Sequence, residues 1–177
     1  MWETANLNTG RINMHGGPLL GVALRIRVSL FVLAFALACA ASAAAQQLEK
    51  GYWRAASRAA ASITGDISFS GSKITINFTS FLITPIRLLK PDEVSAAFDE
   101  AVDTAGNGQL YRVSIPASRR FLKKNTLCGS QDTQWIAVYV ANGSLKAAFF
   151  SGDNAPLMSF EALQNSTDLC GTYTYVR

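Results

Sequence analysis

Trp135-Ile136-Ala137-Val138-Tyr139-Val140-Ala141, then Asn142-Gly143, then Ser144-Leu145-Lys146-Ala147-Ala148-Phe149-Phe150-Ser151: two apolar runs meet at an Asn-Gly pair. That pair between such runs is a strong hairpin signal, because a type I′ turn needs positive φ at both central residues. Folding the chain there sets Val140 opposite Leu145, Val138 opposite Ala147 and Ile136 opposite Phe149. The other face pairs Tyr139 with Lys146, Ala137 with Ala148 and Trp135 with Phe150. Both faces are largely apolar, which predicts a central pair of strands covered on two sides.

Working outward, Cys128 precedes this hairpin and Cys170 follows it. Two cysteines in an exported chain read as a disulfide. Each is followed by a glycine, Gly129 or Gly171, which lets the backbone bend beside the bridge. Upstream, Ile67 and Phe69 alternate with Asp66 and Ser68, and Ile74, Ile76 and Phe78 alternate with Thr75 and Asn77. Period two with one apolar face predicts a second hairpin, residues 63–69 with 73–81, turning at Gly71-Ser72. This places Phe78 on the apolar face of a strand. Residues 81–89 follow as another strand, which Pro85 restricts to an edge or a bulge because proline has no N–H to donate.

At residues 90–102 the period changes. Val94, Ala97, Phe98 and Ala101 recur at helical spacing, with Pro91 suited to the first helical position and Asp92 and Glu93 to the positive end of the dipole. Residues 103–108 (DTAGNG) stop the helix. Residues 109–115 read as a strand with Tyr111, Val113 and Ile115 on one side; residues 156–163 form a weaker apolar segment, and 169–176 a closing strand. The fold class that results is mainly β: a small antiparallel barrel or sandwich of about seven or eight strands, with one short helix over an end.

The chain has 177 residues and a formal net charge of +4. Residues 28–40 (VSLFVLAFALACA) are almost wholly apolar, Arg25 and Arg27 precede them, and small residues run to Ala45. A positive start, a short apolar core and an Ala-x-Ala end predict a secretory signal peptide over residues 1–45, cleaved near Ala45. The core is too short for a comfortable transmembrane span, so no stable span is expected after cleavage. Lipoprotein processing at Cys39 is an alternative that the preceding Ala36-Leu37-Ala38 fits poorly, and Met14 offers a more usual start than Met1, leaving residues 1–13 as a mis-set start. Residues 46–61 read as an N-terminal arm or short helix in which Trp53 plugs one end of the core, and 62–177 as a single β-rich domain. The expected compartment is periplasmic or extracellular.

Past residue 45, thirteen basic side chains face eleven acidic ones, a balance of +2 that gives no case for nucleic-acid binding. The one histidine, His15, lies in the leader, so a processed chain cannot build a Ser-His-Asp or Cys-His site or a histidine-ligated metal site. No catalytic residue, cofactor or metal is assigned. A small hydrolase built on paired carboxylates stays formally open.

Arg119, Arg120, Lys123 and Lys124 form a cationic run around Phe121 and Leu122. These four are the candidate contact for an anionic partner, an envelope component or an acidic protein. The plainer reading is a solvated edge whose lysines discourage sheet-to-sheet pairing. The function class that follows is an exported, non-enzymatic binding or inhibitor-like module. The alternative is a structural subunit of an envelope assembly that buries a segment such as residues 81–89 against a partner.

Overall fold

The computed structural model describes residues 49–101 and 108–177. The expected leader, with His15, Cys39 and the cleavage site near Ala45, lies outside the described residues, as does most of the turn at 103–108. Eight strands follow one another: β1 (Gly51–Ala55), β2 (Ile67–Ser70), β3 (Lys73–Ile76), β4 (Thr79–Leu88), β5 (Gly108–Ile115), β6 (Thr133–Ala141), β7 (Ser144–Phe150) and β8 (Leu169–Val176). Each pairs antiparallel with its sequence neighbour, and β8 returns to β1, so the sheet closes into a barrel. Closure leaves no edge strand among the described residues.

The central hairpin has the expected register, from Val140↔Leu145 to Trp135↔Phe150. Its turn residues Asn142 and Gly143 both have positive φ, 50° and 73°. Ile136, Val138, Val140, Leu145, Ala147 and Phe149 are buried in the barrel interior with Trp53, Ile67, Ile74, Ile76, Tyr111, Val113, Tyr173 and Tyr175. An eight-stranded barrel is just wide enough for side chains to fill. Each large apolar side chain buried there stabilises the fold by roughly 1.5–3 kcal/mol.

The hairpin's other face is covered from outside. Trp135, Ala137, Tyr139, Ala148 and Phe150 form a second core with Leu89, Val94, Phe98 and Met158. Val94 and Phe98 come from helix α2 (Pro91–Phe98), which begins at Pro91 as its sequence predicts. Its Glu93 caps the Lys90 N–H at 2.8 Å and holds Arg87 through two bonds of 2.6 and 2.7 Å. This helix therefore lies on the flank of β5–β7 and not over an end, because its apolar stripe matches the outward apolar row of the hairpin. Two further short helices, α1 (Arg58–Ser62) and α3 (Phe160–Gln164), are capped by Ser57 and Ser159.

Two local expectations change. A strand, β1, lies within the segment read as an arm or helix, and the helix there, α1, comes after it. Residues 73–81 are not one strand. Asn77 and Phe78 turn the chain with φ of 45° and 64°, and Thr79 then pairs back on Ile76. Phe78 thereby leaves the apolar face and stands 99% exposed. Of the two outcomes expected at Pro85 the bulge is the one present, the register against β5 shifting between Pro85 and Arg87 in a strand that pairs with both β3 and β5.

The disulfide joins Cys128 in the β5–β6 connection to Cys170 in β8, 42 residues apart. Both cysteines pack against the barrel core. The chain-entropy model assigns such a closure about 4 kcal/mol.

Candidate functional site

The cationic run sits in the connection between β5 and β6, whose backbone is pinned to α1. Leu122 N–H donates to Ile63 O at 3.0 Å, Phe121 N–H to Asn125 O at 2.8 Å, and Asn125 Nδ2 to Ser62 O at 3.1 Å. Phe121 is the buried anchor and its ring meets Phe81 at 6.2 Å. Lys123 and Lys124 then adopt left-handed backbone, with φ of 52° and 64°, and both side chains are exposed. The four cations have different surroundings. Arg119 is partly buried, donating from Nη2 to Thr79 Oγ1, and its Nε meets no acceptor among the described residues. Arg120 is exposed and among the described residues donates to the Ala117 carbonyl, at 2.8 Å. No ion pair joins Arg120, Lys123 or Lys124 to another described residue.

Thr79 ties this loop to the Asn77-Phe78 turn. The turn, the end of α1 and the outer face of β1–β2 border a groove of about 570 Å³, whose lining includes Tyr52, Thr64, Asp66, Thr75, Phe78 and Leu122. Asp66 accepts from the Tyr52 hydroxyl and from Ala55 N–H, the latter at 2.9 Å. The Tyr52 bond is the main reason its carboxyl titrates below the usual range.

A second hollow, of about 190 Å³, opens at the Gly71-Ser72 turn between Glu49, Phe69, Ile83, Pro85 and Tyr111. Trp53, wholly buried, donates Nε1–H to the Glu49 carbonyl at 2.9 Å and so fixes that residue over the barrel. The Glu49 side chain is buried, and the Tyr111 hydroxyl donates to its Oε2. Loss of water pushes the Glu49 carboxyl up to about 7, against the lowering effect of the Tyr111 bond. Tyr111 is raised by its own burial first and by the Glu49 charge second.

Among the described residues each hollow has one carboxylate in its lining, Glu49 or Asp66. Neither presents, among the described residues, the acid pair that glycoside hydrolysis uses. Among the described residues no three His, Cys, Asp or Glu side chains gather where they could hold a metal ion. No described helix is long and apolar enough to cross a membrane.

Two residues of these sites carry little or no signal in the sequence. Glu49 lies in an Ala- and Arg-containing stretch without period, and its burial depends on Trp53 and Tyr111, the latter 62 residues away. Phe78 continues an apolar alternation, and only an Asn before it hints at left-handed backbone. No protein-family model, curated protein or solved structure matches the chain.

Proposed function

We propose that this protein is an exported, non-enzymatic binding module that meets an anionic partner through the barrel end formed by residues 116–127. The observation that carries this reading is the presentation of Arg120, Lys123 and Lys124. They stand exposed, with no ion pair among the described residues, on a loop whose backbone is held by three hydrogen bonds to itself and to α1. A cationic surface held in fixed geometry recognises anions with little ordering cost on binding. Export is supported by the leader and by the disulfide, since disulfides persist in oxidising compartments. The test is retention on anionic envelope fractions of the released protein and of a variant carrying Arg120→Glu, Lys123→Glu and Lys124→Glu. Equal retention of the two refutes the reading, and mass spectrometry of the released chain checks for a start near Gln46.

A second reading, an assembly subunit, is favoured by one observation. Leu82, Ile86 and Leu88 of β4 are 69%, 48% and 45% exposed. Closure of the barrel means that this strand would offer a face to a partner, not an edge. Sedimentation of the released protein tests it: a monomer at all concentrations, with no envelope partner retained through Leu82 and Leu88, excludes it.

A further inference from the structure

We infer that the cationic barrel end docks reversibly on an anionic lipid bilayer, with Phe78 entering the headgroup layer while Arg120, Lys123 and Lys124 meet the phosphates. The inference rests on the binding role proposed above and names its partner.

Phe78 is poorly explained by the fold. A two-residue turn with positive φ at both positions favours glycine at the second, as in Asn142-Gly143 of this same chain. At the Asn77-Phe78 turn the second position is phenylalanine, at φ 64°, with the ring 99% exposed. The backbone conformation is strained for a residue with a Cβ, and the ring gains no burial in return. A side chain that helps neither its turn nor the core has its use outside the molecule.

The cations stand beside it. Arg119 donates to Thr79, the residue after Phe78, and Leu122 lines the same groove as Phe78. Lys123 and Lys124 follow Leu122 directly. The acids at this end are already engaged: Asp66 by Tyr52 and Ala55 N–H, and Asp132 by Ala117 N–H at 2.7 Å. These bonds leave both carboxylates charged, but the four cations of the run outnumber them, and among the described residues Arg120, Lys123 and Lys124 have no ion-pair partner beside the apolar tip.

Chemistry favours a bilayer over a soluble acidic partner. A dissolved polyanion would use the cations and leave the ring in water. An acidic protein would need a broad complementary surface, of the order of 800 Å² on each side, whereas here one ring projects clear of its surroundings. A bilayer offers apolar depth directly beneath fixed negative charge, and one apolar anchor with a basic patch gives the weak, reversible attachment expected of so small a surface.

The experiment uses the protein in the form its host releases, its first residue fixed by mass spectrometry. Partitioning is measured on vesicles of pure phosphatidylcholine and on vesicles of equal parts phosphatidylcholine and phosphatidylglycerol, with soluble polyphosphate as a separate arm. Phe78→Gly restores the preferred turn residue, so it folds at least as well, which thermal melting verifies. The expected result is partitioning onto the anionic vesicles that falls roughly tenfold in Phe78→Gly, the scale of burying one phenylalanine ring. Each of Arg120→Gln, Lys123→Gln and Lys124→Gln should lower it about fivefold. Equal partitioning of Phe78→Gly and the parent chain overturns the inference, as does indifference to lipid charge. Binding to polyphosphate without binding to vesicles overturns it while leaving the proposed binding role intact. Binding to neither removes both.

Discussion

Replacing Glu49 by glutamine should stabilise the protein, and only above a definite pH. The carboxyl is buried beside the Tyr111 hydroxyl, with the Glu49 backbone held by the Trp53 N–H, and loss of water raises it from 4.5 to about 7. The folded state thus holds this proton more tightly than the unfolded chain does. The associated stability is complete below pH 4.5 and is lost as pH rises through 7, with no further change above that. At 1.36 kcal/mol per pH unit the full loss is about 3 kcal/mol. Glu49→Gln keeps the neutral shape and carries no charge to desolvate. Urea unfolding followed by tryptophan fluorescence at a series of pH values gives the difference between variant and parent. That difference should be near zero at pH 4 and grow to about 3 kcal/mol in favour of the variant by pH 8. Tyr111→Phe removes the bond that lowers the Glu49 carboxyl, so in that variant the parent-type loss should move to higher pH. A flat difference between pH 4.5 and 8 would show that Glu49 is solvated in the folded state and would refute the reasoning.

Three other outcomes can be checked on the same material. Replacing Cys128 and Cys170 together by alanine should cost about 4 kcal/mol in urea titrations under oxidising conditions, and the parent should show no free thiol with Ellman's reagent; two free thiols would remove the bridge. Trp53→Ala should cost about 3–5 kcal/mol, since the ring is wholly buried and its N–H holds Glu49 in place. Its melting point should fall accordingly, and a melt close to the parent's would mean that β1 contributes little to closure. Glu93→Gln should cost about 1 kcal/mol, a figure reduced because Arg87 is 39% exposed. The Arg87 bond lowers the Glu93 carboxyl, so the parent, and not the variant, should lose this contribution as pH falls below 4.5. Parallel acid titrations of the two proteins would contradict that.

The candidate sites were only half legible in the chain. A run such as Arg119 to Lys124 shows in any sequence, but it does not say that Arg119 turns inward to Thr79 while Lys123 and Lys124 turn out on left-handed backbone. Glu49 had no distinguishing neighbour, and Phe78 had only Asn77 before it. One gains its character from burial against Tyr111 and the other from a turn that breaks the alternation at Ile76.

What local sequence dictated was everything held by adjacent residues: the Asn142-Gly143 and Gly71-Ser72 hairpins with their registers, the bulge at Pro85, and the helix opening at Pro91. Turn dihedrals and side-chain period act over a few residues, so their outcome can be read where they stand. The pairing of β1 with β8, the flank on which α2 rests, the burial of Glu49 and the placing of Phe78 next to Arg119 arose only on closure. These join residues from about 40 to more than 120 positions apart, and no local propensity encodes which distant strand will fill an open row of N–H and C=O groups.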